Sequence, residues 1–346
     1  MKNRIPVLFA LLAALLYGVS VPLSKLLLES LTPFMLAALL YFGAGFGMLG
    51  LRMLPSGRSY REARIAKSEF PYVGLMILLD VAAPVLLLFS LKTASAASVS
   101  LAGNFETAAT AIIALLLFRE PVGKRLWLAI VFITVASALL SIDGLEGFSL
   151  SYGVLFALFA CVLWGLENNI TRVLSQKDPQ QIVMIKGIGA GTGAMLLAVI
   201  TGELTWAPIS ILLALLLGFA SYGLSIRFYI LAQRSLGAAR TGAYYAVAPF
   251  LGVALSGVLF GQHITLFFLA ALVLMLLGGT LAATEQHVHM HKHEAVKHEH
   301  RHSHDDGHHT HSHETEVKGG HSHAHTHEQL THEHPHTPDI HHAHTH

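Results

Sequence analysis

Ten stretches of about 20 apolar residues, each long enough as helix to cross roughly 30 Å of hydrocarbon, constrain this 346-residue chain more than any other feature. They run 5–27, 32–54, 70–91, 93–118, 124–142, 150–173, 181–201, 209–232, 238–260 and 264–284. Backbone in hydrocarbon must satisfy its own hydrogen bonds, so such runs are read as helices. The first follows Lys2 and Arg4, lacks a small-residue cleavage motif, and is taken as a retained span. The fourth is unusual because residues 93–104 are small and polar, a composition suited to close helix packing inside a bundle.

Charge divides the chain in two. Residues 1–284 hold 18 Lys/Arg and 11 Asp/Glu, whereas residues 285–346 hold 4 and 10, with 23 of the 24 histidines. The net +1 is therefore a cancellation. Only 12% of residues are charged, against about 25% in a soluble domain, which argues against a soluble enzyme. No nucleic-acid partner is expected, and the lipid bilayer is. Cys161 stands alone, so there is no intramolecular disulfide and no multi-cysteine metal site; it reads as a small buried hydrophobe. With a cytoplasmic N-terminus, fourteen Lys/Arg fall in inside segments and only Lys25 and Lys92 outside. That predicts a bacterial-type inner (plasma) membrane protein with both termini cytoplasmic.

The chain also repeats itself. Residues 7–18 (VLFALLAALLYG) match residues 154–165 (VLFALFACVLWG) at eight of twelve positions. Thr32-Pro33 then aligns with Asp178-Pro179, and Gly43-Ala44-Gly45 with Gly189-Ala190-Gly191. Five spans per copy is an odd number, so the second copy enters the membrane in the opposite sense, as in secondary transporters with inverted repeats. The expected fold is an all-α membrane protein of ten transmembrane helices in two inverted five-helix repeats, 1–143 and 144–284. A disordered histidine-rich tail follows at 285–346.

Each copy opens with an alanine/leucine helix ending in Tyr17-Gly18 or Trp164-Gly165. The fourth run carries Asn104-Phe105-Glu106-Thr107 and ends LLLFRE at 115–120; the second copy answers with Ala248-Pro249-Phe250 and LFGQ at 259–262. In these features, over about residues 5–284, the chain resembles the EamA-type members of the drug/metabolite transporter superfamily. It departs from that pattern at Thr107, where proline is expected, and at Ala248 and Gln262, where acids are. The resemblance implies export of small metabolites by alternating access.

Charged side chains inside a span are costly and mark functional candidates. Counting about 1.5 Å of rise per residue, Asp80 and Glu106 lie near the midplane, with Asn104 beside Glu106 and no obvious basic partner for either acid. Desolvation disfavours the charged form of a carboxylate, so both are candidate proton carriers, or else packing hydrogen-bond donors. Tyr244, Tyr245 and Pro249 line up with Glu106 as candidate substrate contacts, and Pro84 and Pro249 as candidate kinks. Glu167, Lys186 and Arg227 fall in the cytoplasmic third, as an ion pair or a gate. Asn168 and Asn169 either bind substrate or join helices. His263 reads as a surface residue. No GxxxxGK[ST] loop is present, which argues against ATP-driven pumping.

The tail repeats H-x-H, at His287, His289, His291 and His293, at His311 and His313, and at His321, His323, His325 and His327. Its composition cannot bury a core, and spaced imidazoles suit zinc, nickel, cobalt or copper. No cofactor is required. The leading expectation is a secondary transporter, not an enzyme, that exports small metabolites and is proton-coupled, with oligomerisation open. Alternatives are a divalent transition-metal exporter with a metal-collecting or metal-sensing tail, and a non-transporting membrane sensor.

Overall fold

A computed structural model of the chain describes residues 4–53, 64–118, 124–142, 152–174, 177–236, 244–245, 247–261, 265–283, 287–293, 297–302, 321–326 and 330–336. Lys2, Arg58, Arg61, Arg119, Arg240, His263, His311, His313 and His327 lie outside the described residues.

Thirteen helices are described: α1 (Arg4–Gly18), α2 (Ser20–Leu27), α3 (Pro33–Met53), α4 (Phe70–Thr93), α5 (Ala96–Ala102), α6 (Phe105–Phe118), α7 (Lys124–Ile142), α8 (Tyr152–Leu174), α9 (Pro179–Ile200), α10 (Pro208–Gly218), α11 (Ser225–Leu236), α12 (Ala248–Phe260) and α13 (Leu266–Ala283). Their starts obey local chemistry. Pro33, Pro179 and Pro208 open α3, α9 and α10, where a missing N–H costs nothing. Ser95 caps α5 by accepting from the Ser98 amide at 3.0 Å, and Asp178 caps α9 through the Gln180 amide at 2.9 Å.

Among the described residues, six helical stretches are long and apolar enough to cross a membrane: Ile5–Leu27, Pro33–Met53, Lys67–Thr93, Tyr152–Thr171, Pro179–Ile200 and Pro208–Ala232. Four shorter apolar helices, Ala108–Leu117, Trp127–Ala136, Ala248–Phe260 and Leu266–Leu281, occupy the places of the expected fourth, fifth, ninth and tenth runs. Large apolar side chains stay exposed along them, among them Leu8, Leu11, Leu15, Leu116, Leu117 and Phe267. That outward apolar surface suits lipid as the surrounding solvent. Leu36, Leu40, Met48, Leu88 and Leu101 are fully buried at the centre.

Several expected spans are interrupted. The fourth run is broken at Gly103-Asn104, between α5 and α6. The eighth passes through a π-type turn, Phe219–Leu224, between α10 and α11. Pro249 was expected to kink the ninth run, but it lies in the first turn of α12; there proline starts a helix instead of bending it. Pro84, by contrast, does sit inside α4.

α3 lies along α9, α4 along α8, α1 along α11 and α7 along α13. Glycine permits the closest of these approaches. A Cβ on Gly187 of α9 would stand 2.5 Å from Gly45 Cα and 2.7 Å from the Tyr41 carbonyl oxygen of α3.

Tail residues His287–His293 (β1), Lys297–His302 (β2), His321–Thr326 (β3) and Leu330–His336 (β4) are extended. β1 pairs antiparallel with β4, and β2 with β3. The H-x-H alternation has the two-residue period of a strand.

Candidate functional site

Two polar clusters lie among the helices. In the first, Lys186 on α9 stands between two carboxylates. Its Nζ donates to Glu167 Oε1 on α8 at 3.0 Å and lies 3.2 Å from Asp80 Oδ2 on α4. The Tyr41 hydroxyl on α3 donates to Asp80 Oδ1 at 3.0 Å, and the Thr171 hydroxyl donates to Glu167. Asp80 Oδ2 itself accepts no aligned hydrogen bond. Tyr41, Asp80, Glu167 and Lys186 are all buried. Two carboxylates share one ammonium here, so with both ionised the cluster carries one uncompensated negative charge.

This cluster corrects one expectation and bears out another. Asp80 was read as lacking a basic partner; Lys186, 106 positions later, is that partner. Rise along a single helix gives depth but not which neighbour faces inward. The Glu167–Lys186 pair is present as expected. Arg227 lies half-buried on α11.

The second cluster starts at the α5–α6 break. Asn104, 6% exposed, occupies that turn, and its Nδ2 has no hydrogen-bond partner. Glu106 opens α6 and accepts from Asn168 Nδ2 of α8 at 2.7 Å. Asn169 Nδ2 donates to the Thr110 carbonyl at 3.1 Å and to the Gly165 carbonyl at 2.8 Å. Both asparagines thus join α8 to α6. Gly165 allows this contact, because a Cβ there would stand 2.9 Å from the Thr110 nitrogen.

Tyr17, Tyr222, Tyr229 and Tyr245 form a chain of ring contacts. Tyr229 and Tyr245 pack at 4.9 Å between ring centroids, Tyr17 and Tyr245 at 5.7 Å, and Tyr17 and Tyr222 at 6.2 Å. Tyr41 lies 5.3 Å from Tyr222, so it links this cluster to Asp80. The π-type turn that carries Tyr222 is held against α1: Ser221 Oγ donates to the Leu16 carbonyl at 2.5 Å, and Ser225 Oγ to that of Ala13 at 2.8 Å.

Of the expected substrate contacts, Tyr245 packs against Tyr17 and Tyr229, whereas Tyr244 is exposed and Pro249 lies in the first turn of α12. Tyr17, Tyr41, Tyr222 and Tyr229 were not among the site residues expected from the sequence. One signal was available: in-span tyrosines away from the membrane interface carry a hydroxyl that needs a partner. Cys161 is buried as expected, and its Sγ lies 3.6 Å from the Ala102 carbonyl oxygen. Among the described residues no cluster of three or more metal-ligating side chains occurs.

The model of the EamA-like transporter family matches twice, over residues 4–142 and 151–284. An uncharacterized transporter of Methanothermobacter thermautotrophicus is 27% identical over 259 residues, covering 69% of this chain and 75% of that one. A protein crystal structure shares the fold with a TM-score of 0.58 at 19% identity, covering 82% of this chain and 96% of that one.

Proposed function

The chain belongs to the EamA-like transporter family and is a multi-pass membrane transporter of the drug/metabolite type; on that premise we propose that it exports a small organic solute by proton-coupled alternating access. Ten spans in two inverted five-helix repeats, 1–143 and 144–284, carry the movement, with both termini in the cytoplasm of a plasma membrane. Two successive family matches support the repeat. The packing supports it as well: exchanging the two halves sends the α4–α8 contact onto α1–α11 and leaves α3–α9 and α7–α13 in place. Such a device needs no catalytic residue.

The observation that carries the reading is the pair of polar clusters. Each is assembled from helices of both halves, and the Glu106 cluster gathers at a broken helix and a π-type turn. Discontinuous helices are where transporters of this construction place their sites. Glu106, Asn168 and the tyrosines form the solute site. Asp80, Lys186 and Glu167 form the coupling site, whose single spare charge can be matched by one proton.

The test uses full-length protein in liposomes loaded with a pH-reporting dye and challenged with pools of small metabolites. At least one pool should drive proton movement, and Glu106→Gln should abolish it. Proton movement by no pool, or coupling unchanged in Glu106→Gln, overturns the proposal.

A second reading, a zinc, nickel, cobalt or copper exporter with a metal-collecting tail, draws on the register of the tail strands. His287, His289 and His291 stand opposite His336, His334 and His332, and His298, His300 and His302 opposite His325, His323 and His321. Opposed imidazoles are of the ligand type those metals take, here in pairs, since no group of three or more ligating side chains occurs among the described residues.

A further inference from the structure

Between the ionic cluster and the chain of tyrosines stands Tyr41, which touches both. Its hydroxyl donates to Asp80 Oδ1 at 3.0 Å, and its ring lies 5.3 Å from that of Tyr222, tilted by 51°. Resting on the transporter reading, we propose that Tyr41 is a positioning residue for proton coupling: its hydroxyl follows the charge of Asp80, and its ring passes the change to Tyr222 and so to α1.

The supply of donors decides which acid takes the proton. Glu167 Oε1 accepts from both Lys186 Nζ and the Thr171 hydroxyl. Asp80 Oδ2 lies 3.2 Å from the same Nζ without an aligned hydrogen bond, which leaves Tyr41 as the donor that holds this acid. The titratable groups facing Asp80 are thus Tyr41 of α3, Glu167 of α8 and Lys186 of α9, with Tyr222 of the π-type turn behind Tyr41. α5 carries no titratable side chain. Towards the helix ends, Lys25 of α2 donates to the Ala94 carbonyl at 2.6 Å, Glu69 pairs with Lys177 at 3.3 Å, and Arg52 with Asp178 at 3.5 Å.

One proton passing from water to Asp80 takes the cluster from a single net negative charge to neutral, with Lys186 and Glu167 left as a matched pair. On Oδ1 that proton makes Asp80 a donor. The Tyr41 hydroxyl, with one hydrogen and two lone pairs, then accepts and points its own hydrogen elsewhere. On Oδ2 it leaves Tyr41 donating to a neutral group, and such a bond is about half as strong as one to a carboxylate. Either way the hold of Asp80 on Tyr41 slackens.

The backbone on both sides is held, so the side chains carry the response. A Cβ on Gly187 would stand 2.7 Å from the Tyr41 carbonyl oxygen, which shows how closely α3 is pressed on α9 at this point. Tyr222 sits in the turn that Ser221 and Ser225 bond to Leu16 and Ala13 of α1. A change at its ring therefore reaches α1, where Tyr17 meets it at 6.2 Å. Phenylalanine would fill the same buried space as Tyr41; what the hydroxyl adds is the bond to Asp80.

Infrared difference spectra of full-length protein in lipid nanodiscs, taken between neutral and acidic pH, read carboxyl protonation and the tyrosine C–O band together without any solute. The wild type should gain a protonated-carboxyl band and shift its tyrosine band. Asp80→Asn should diminish the first and abolish the second, whereas Tyr41→Phe should keep the first and lose the second. A tyrosine band indifferent to acid, or a shift that persists in either variant, overturns the proposal. In liposomes, transport of the metabolite pool that moves protons should vary about tenfold with pH, the coupling that one charge-assisted bond transmits. Tyr41→Phe and Tyr222→Leu should flatten that profile, and Tyr222→Phe, which keeps the ring, should retain it whatever its rate. A uniform loss of flux with the profile intact marks a structural role and also overturns the proposal. Flux from no pool sinks the transport reading, and the spectra then still decide whether Tyr41 follows Asp80.

Discussion

Lys186 is shared by two acids on two other helices, so its loss is felt at both. Lys186→Met keeps the side-chain length but leaves Asp80 and Glu167 buried without an ammonium between them. Removing one member of a buried ionic cluster costs about 3–5 kcal/mol, and thermal unfolding in detergent should show a loss of that order. Adding Asp80→Asn to Lys186→Met should recover part of it, since one of the uncompensated charges is then gone. Wild-type stability in the single variant would show the cluster to be dispensable. Half of this cluster was legible beforehand. Glu167 and Lys186 sit at matching depth on helices joined by a short connection, so their pairing follows from rise per residue. Asp80 reaches Lys186 only through the contact of α4 with α9, which no spacing along the chain records.

Irregular stretches of helix place the second cluster. Tyr222 stands where it does because Phe219–Leu224 winds as a π-type turn, and Ser221 and Ser225 fasten that turn to α1. Such a turn amounts to one residue more than an α-helix accommodates. Deleting Ala220 should restore α register and swing Tyr222 by about 100° around the helix axis. Helix content by circular dichroism and membrane insertion should persist, while solute-driven proton flux is lost; wild-type flux in the deletion variant would uncouple the turn from the site. The α5–α6 break was partly visible, since small polar residues surround Gly103-Asn104. The π-type turn was not, because Leu, Gly, Tyr and Ser occur equally well in straight membrane helices. Pro249 misled for a related reason. Proline reads as a kink inside a run, but as a helix start once the preceding turn has ended.

At the scale of the molecule, a low-charge membrane body is joined to a segment holding 23 histidines. If the tail serves the cargo, the full chain and residues 1–284 should give metal-sensitive cells different tolerance to zinc, nickel, cobalt or copper. If neither form changes tolerance, the metal reading fails and the metabolite reading is untouched. Among the described residues the in-span acids Asp80, Glu167 and Glu106 are engaged with Lys186, Tyr41 and Asn168.

The sequence by itself determined that the chain lives in lipid, that its body is a duplicated set of apolar helices, and which few charged residues are buried there. Those properties are local: hydropathy is summed along one helix, and a repeat is a comparison of strings. Tertiary structure alone decided that Asp80 answers to Lys186, that Asn168 holds Glu106, and that tyrosines from three stretches pack ring to ring. Each of those facts depends on how helices rotate and cross, which is set by close approaches such as that of Gly165 in α8 to α6 and of Gly187 in α9 to α3. A few degrees of rotation decide which side chains meet, and the linear order of residues does not encode that angle.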